Sequence, residues 1–297
     1  MVTQKRVTMP PGNSVLTVHW VLPKGNAMAD LLAIGNWLLP LLYLALLADY
    51  GATFFLRTRT EARSPWLVVV VAVHLVFLAL RGAHLGYPPV TSGQEIASVL
   101  ALATAGVYAW VELAGRDRRT GVFVLLLAFL FQYTSSMLLA GRVAEPSEIA
   151  PGAVGVWARL HVVPALVAYT ALAFAGVYGL LYLLEHRGLR RHRFGVLFDR
   201  LPPLDVLEPM AWHALLTGFV AMTVAIAAGP LLLRAEGGEM TAKVLSKIVT
   251  GSVAWVVCAV AILGRWLGKW PAARTSATAV VGFIIVMALM IVSGLLS

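Results

Sequence analysis

The sequence predicts an all-α fold, a polytopic membrane bundle of eight transmembrane helices with both termini external. Three observations predict it. The 297 residues are 60% hydrophobic and only 12% charged, and the mean hydropathy of +0.83 lies far outside the range of soluble domains. A water-soluble enzyme is thereby excluded. A bilayer core of about 30 Å asks for roughly 20 mostly apolar residues per helical span, and runs of that kind recur from Leu31 to Leu296. These runs are continuous, as in Leu67 to Leu80 or Phe123 to Leu130, whereas a transmembrane barrel reads as short alternating segments.

Taken in order, the apolar segments are 31–56, 65–85, 96–113, 121–139, 158–184, 209–233, 247–267 and 275–296. Their even number places both termini on one side. Lys and Arg then choose the side. The connections after the first, third, fifth and seventh segments hold fourteen of them: Arg57, Arg59 and Arg63, then Arg116, Arg118 and Arg119, then Arg187, Arg190, Arg191, Arg193 and Arg200, then Arg265, Lys269 and Arg274. The opposite side holds Lys5, Arg6, Lys24, Arg81, Arg142, Arg159, Arg234, Lys243 and Lys247, which is nine. By the positive-inside rule the richer set is cytoplasmic. The expected location is a bacterial-type inner membrane, crossed several times.

Residues 1–27 are polar and contain Pro and Gly, without the basic, apolar and small-residue succession of a cleavable signal. They read as a tail, with Met28 a candidate initiator, and 28–297 as one transmembrane domain. The connection 185–208 is the longest on the cytoplasmic side. Its opening, from Glu185-His186-Arg187 to Arg193, reads as a basic helical extension of the fifth span, suited to anionic headgroups or a cytoplasmic partner. The formal charge of +9 does not indicate nucleic acid, because the basic residues sit in short clusters between apolar runs. Cys258 has no partner cysteine, so neither a disulfide nor a Cys-rich metal site is available.

Ionisable residues inside spans cost about 2.5–3.5 kcal/mol each on insertion scales and are functional hypotheses by default. Asp49, Glu112 and Arg265 fall near cytoplasmic span ends, where they read as snorkelling or capping groups. His74 is midway along the second span. An imidazole there needs a partner, and two readings stand open, hydrogen bonding between helices or ligation. His84 lies ten residues further, about 15 Å along a helix, at the external boundary with Arg81. His161, which follows Arg159 at the start of the fifth span, reaches the same boundary from another helix. Two neutral imidazoles at one depth suit axial ligation of a haem iron, with Arg81 and Arg159 on its propionates; hydrated interfacial histidines are the plainer reading. His213, at the cytoplasmic start of the sixth span, meets His74 only if tilt equalises their depths. Metalloprotease, phosphate-loop and serine-hydrolase motifs are absent from the sequence.

Three stretches carry a resemblance. His74 through Arg81, Pro89 and Ser92 to Glu95 resembles the haem-handling stretch of cytochrome c assembly proteins of the CcsA type. Leu160-His161 through Tyr169 to Leu184 is similar to the family helix that opens with an external haem-ligating histidine. Asp199-Arg-Leu-Pro-Pro-Leu-Asp205-Val-Leu-Glu208, with Gly218, Lys247, Trp255, Gly264-Arg265 and Gly282-Phe283, looks most like the HemX/YpjD branch. Two departures stand out. The Trp-rich external loop of the haem-presenting members is replaced by Arg234-Ala-Glu-Gly-Gly-Glu-Met-Thr, and no histidine follows His213. The resemblance therefore implies haem handling without the haem-lyase step: haem b held at the external leaflet by His161 and His84, with His74, Arg81, Arg159 and His213 as further candidate cofactor contacts, and membrane lipids and cytochrome c maturation proteins as partners. It equally implies a haem-free alternative, a HemX-like regulatory scaffold with a partner on 185–208, or an accessory subunit of a respiratory or photosynthetic complex.

Overall fold

The computed structural model describes residues 27–56, 65–115, 117–145, 156–192, 195–235, 237 and 239–295. The proposed tail, apart from Ala27, lies outside the described residues. Among the described residues nine helices follow one another: α1 (Ala27–Leu56), α2 (Pro65–Leu85), α3 (Gly93–Gly115), α4 (Gly121–Leu138), α5 (Val156–Arg190), α6 (Val196–Arg200), α7 (Leu204–Ala235), α8 (Ala242–Trp266) and α9 (Ala272–Leu295). No strand occurs among the described residues. Where the structure describes them, the eight apolar segments each lie in a helix to within a residue, α6 is a single turn inside the 185–208 connection, and the basic extension of the fifth segment is helical through Arg190, with Arg193 outside the described residues. Among the described residues six helices, α1 to α5 and α7, are long and apolar enough to cross a membrane, while α8 and α9 carry the shorter apolar stretches Gly251–Trp266 and Ala272–Ala288.

Large apolar side chains point outward along the bundle: Ile34 is 68% exposed, Leu41 61% and Val220 61%. A water-soluble protein does not present such a surface, and lipid is the solvent that matches it. The molecule is a membrane helical bundle. Because lipid-facing and core-facing positions are both apolar, the helices have little amphipathic contrast, and packing has to be specified in other ways. The first is polar contact between α1, α2, α3 and α4, which pack on one another in sequence and through α1 on α4. The second is close approach of small residues between α5, α7, α8 and α9, where α5 lies against both α7 and α9. A Cβ on Gly176 would come within 2.4 Å of the Phe283 ring, and one on Gly218 within 2.9 Å of Leu172. The core there includes Ala168, Ala175, Ala254, Cys258, Ala261 and Ala279, small residues that let backbones come together, with Leu172, Leu215, Met222, Ile262 and Val286 filling the space between them. Helix α3 joins the two groups through α5 and α9.

Candidate functional site

His161 stands in the second turn of α5, half-buried against α7. Its Nδ1 lies 2.8 Å from the Ala225 carbonyl oxygen. Gly229, one turn further along α7, makes room for the ring, since a Cβ there would already touch Cε1 and Nδ1 at 3.5 Å. A carbonyl only accepts, so Nδ1 carries the proton and Nε2 holds the lone pair. No hydrogen bond uses Nε2 among the described residues. This is how a ligating imidazole is set up: one nitrogen is fixed by a backbone acceptor, which orients the ring and selects the tautomer of the other. The N-terminal end of α5 adds a partial positive charge, and the exposed Arg159 adds a full one, though two residues away on a helix it lies on the far side from His161.

His84, in the last turn of α2, is half-buried. Helix α2 packs on α1 and α3, and α5 packs mainly on α7 and α9. The two histidines therefore belong to different parts of the bundle and are not joined by a packed interface. Arg81 is committed elsewhere. It is 1% exposed; its Nη2 donates to Glu95 Oε1 at 2.8 Å and its Nε to the Val143 carbonyl at 2.9 Å, which leaves only Nη1 without a partner. Glu95 in turn accepts through Oε2 from the Thr91 and Ser92 amides and the Thr91 hydroxyl, and its own amide reaches Ser92 Oγ at 3.3 Å. Ser92 and Glu95 thus form a capping box at the start of α3. The Ser-x-x-Glu spacing was the signal in the sequence, but it does not reveal that the carboxylate also takes a buried arginine.

For His74 the structure takes the hydrogen-bonded alternative. The ring is fully buried, with Nδ1 2.9 Å from Tyr43 Oη and Nε2 3.0 Å from Ser98 Oγ. Ser98 donates its single hydroxyl proton to Gln132 Oε1 at 2.9 Å, so it accepts from His74 Nε2–H, and Tyr43 O–H donates to Nδ1. The chain continues from Gln132 Nε2 to Ser136 Oγ at 3.0 Å, and Asn36 Nδ2 closes on the Ser136 carbonyl at 3.0 Å. Neither nitrogen of His74 keeps a free lone pair. His213 is exposed on α7, so its pairing with His74 does not occur: one ring faces outward and the other is sealed and satisfied. Asn36, Tyr43 and Tyr50 sit seven residues apart on one face of α1, and that polar spacing was a readable sign of such a network.

At the opposite end of the same four helices, the expectation of snorkelling groups needs correction. Glu112 is 2% exposed and accepts from Tyr50 Oη. Arg118 Nη2 pairs with Asp49 Oδ2 at 2.9 Å, its guanidinium lying 4.1 Å over the Tyr50 ring. Arg265, likewise, pairs with Glu208 and lies 4.4 Å over Trp212. These charges are neutralised between helices, because a chain with few ionisable groups in lipid has every reason to pair them. Among the described residues no cluster of three or more His, Cys, Asp or Glu could hold a metal ion; an axial histidine of a haem needs none.

An all-helical membrane bundle with one imidazole oriented by a backbone carbonyl defines a class of membrane protein, and comparison gives the family. The model of the cytochrome c assembly protein family matches residues 36–297, so the chain belongs to that family. It is 28% identical over 196 residues to protein HemX of Brevibacillus brevis, covering 63% of this chain and 69% of that protein. It is 22% identical over 165 residues to cytochrome c biogenesis protein CcsA of Nostoc punctiforme (54% of this chain, 47% of that one) and 25% identical over 111 residues to CcsA of Heterosigma akashiwo (37% and 34%). The chain thus falls in the CcsA superfamily, on its HemX-like side, and it matches less than half the length of these CcsA proteins. No solved structure matches it significantly.

Proposed function

We propose that this protein binds haem at the external leaflet of a bacterial inner membrane, through His161 Nε2, and holds or relays it during cytochrome c maturation. The observation that carries the reading is the Nδ1 contact of His161 with the Ala225 carbonyl. It fits a haem axial ligand in ring orientation, tautomer and basicity. His84, on α2, stays a candidate second ligand in this reading, although α2 and α5 share no packed interface. The positive end of α5 with Arg159 draws the propionates by charge, while Arg81 has only Nη1 left to offer. A bound haem would supply a low-spin iron whose potential the axial ligands set. The chain's own contribution is to hold the imidazole, keep its Nε2 unprotonated and present it beside lipid. Helices α8 and α9 count as spans in this reading, which gives eight crossings and places both termini outside.

The test is the visible spectrum of detergent-purified protein, oxidised and dithionite-reduced. Sharp reduced α and β bands, lost in His161→Ala, are expected. A featureless spectrum from haem-replete cells would overturn the reading in favour of a HemX-like regulatory scaffold with its partner on 185–208. A C-terminal alkaline phosphatase fusion checks the orientation, being active only if that terminus is external.

A further inference from the structure

On the outer surface of the bundle, between α8 and α9, runs an open groove of about 360 Å³ lined by Val256, Val257, Val260, Ala277, Val281 and, at its mouth, Arg274. From the structure we infer that this groove is a binding site for one acyl chain of an anionic phospholipid whose phosphate pairs with Arg274.

The argument begins with the floor. A Cβ on Gly282 would meet Cys258 Sγ at 3.3 Å, so the two helices approach closely beneath the groove. Above that contact valine and alanine side chains make up most of the walls. Thr278 is also in the lining, but its hydroxyl is spent on the Arg274 carbonyl at 3.0 Å. A largely apolar trough whose one hydroxyl proton is already donated within α9 suits a hydrocarbon chain and gives water little to hold. Its length agrees. Arg274 to Val281 is seven residues, about 10 Å along a helix, which lies within the roughly 15 Å of one leaflet. Its volume is at the lower end of the roughly 300–1,000 Å³ typical of small-molecule sites.

The mouth supplies the charge. Trp270 sits flat against the end of α8 because Gly264 and Gly268 carry no side chain; a Cβ on Gly264 would come within 2.5 Å of its ring. The Arg274 guanidinium lies 5.3 Å from that ring centroid, within the range of a cation–π contact. Arg265, at the end of the same helix pair, has Glu208 as its counter-ion. Arg274 has no ion-pair partner among the described residues. A fixed cation without a protein counter-ion, at the open end of an apolar trough, calls for an amphiphile with an anionic head, and membrane phosphates are the anions at that depth.

The experiment is native mass spectrometry of the full chain, delipidated in detergent and then supplied with phosphatidylglycerol or phosphatidylcholine. Retention of one phosphatidylglycerol with about fivefold preference over phosphatidylcholine is expected, the size of a single arginine–headgroup attraction. Arg274→Gln should abolish the preference, Arg274→Lys should restore most of it, and Val260→Trp, which fills the trough, should remove retention of both lipids. Arg142→Gln, at an exposed basic residue after α4, should change nothing. Preference that survives Arg274→Gln overturns the site. So does displacement of phosphatidylglycerol by an equal concentration of glycerol phosphate, which would mean an anion site with no acyl chain. Loss of a dimer rather than of lipid in Val260→Trp would overturn it as well, by making the groove a contact between two copies.

Discussion

The four helices α1 to α4 and the four long helices α5, α7, α8 and α9 solve the same problem differently. In lipid there is no hydrophobic gain from bringing two apolar helices together, so association rests on polar contact or on close packing. The first group uses polar contact: Asn36, Tyr43, His74, Ser98, Gln132 and Ser136 form one chain of hydrogen bonds, with Arg81–Glu95 towards one end and Tyr50, Glu112, Arg118 and Asp49 at the other. The second group relies mainly on glycine and alanine contacts under Phe283, Leu172 and Cys258, with the Arg265–Glu208 pair between α8 and α7 added at one end. The difference has a functional side. Polar contact consumes the histidine and arginine of the first group, whereas small-residue packing leaves His161, between α5 and α7, with an open nitrogen.

The sharpest way to break this contrast is the Arg81–Glu95 pair, 2% and 1% exposed as side chains. Removing one partner leaves a buried charge without its counter-ion, so Glu95→Ala should cost about 3–5 kcal/mol. The midpoint of thermal unfolding in detergent reads this. The double variant R81L/E95L should recover much of the loss, because replacing both partners removes the stranded charge. If the double variant is no better than the single, the pair does more than neutralise itself.

In the second group the corresponding break is Gly176→Ala, whose Cβ would stand 2.4 Å from the Phe283 ring. Overpacking of this kind costs about 1–3 kcal/mol. Phe283→Leu in the same chain should return part of it, since a smaller side chain yields the space. An equal loss in Gly176→Ala with and without Phe283→Leu would show that the contact is not what limits the approach of α5 and α9.

How much of this was legible in the sequence follows from the same physics. Helices were legible because apolar runs in lipid must be helical, and each of the eight segments, where described, falls in one to within a residue. Which face of each helix turns inward was not, because lipid and core ask for the same residues and no apolar stripe stands out. His161 and His84 were singled out by depth alone; the Ala225 carbonyl that fixes His161 is backbone and leaves no trace in composition. Glu95 was visible as part of a Ser-x-x-Glu spacing, but not as the counter-ion of a residue fourteen positions earlier. Glu112 and Asp49 were misread as snorkelling groups because the sequence does not show that Arg118, in the next connection, folds back over Tyr50.

His74→Phe sharpens the functional side of the contrast. Hydrogen bonds between transmembrane helices are worth about 0.6–2 kcal/mol, and the substitution removes two of them, leaving Tyr43 and Ser98 each short of a partner. A moderate fall in the unfolding midpoint is expected, with the proposed haem absorption bands kept, since both nitrogens of His74 are spent within the bundle. Loss of the absorption bands at an unchanged midpoint would reverse the assignment and make His74 a ligand.

The smallest effect is expected where the second group borrows the device of the first. Trp255 Nε1 donates to Thr223 Oγ1 at 2.8 Å, joining α8 to α7 on the lipid-facing side. The Thr223 hydroxyl gives its own proton to the Phe219 carbonyl at 2.8 Å, and the Trp255 ring stacks on Phe219 at 5.3 Å. Trp255→Phe keeps an aromatic ring for that stack and deletes one hydrogen bond, so the cost should be close to the roughly 0.6 kcal/mol average of such bonds in membranes. Thr223 keeps its helical acceptor in either case, and no buried group is stranded. A loss as large as that of Glu95→Ala would mean that a single polar contact governs α7 and α8 as well, and the division of the bundle into a polar and a small-residue half would fail at that point.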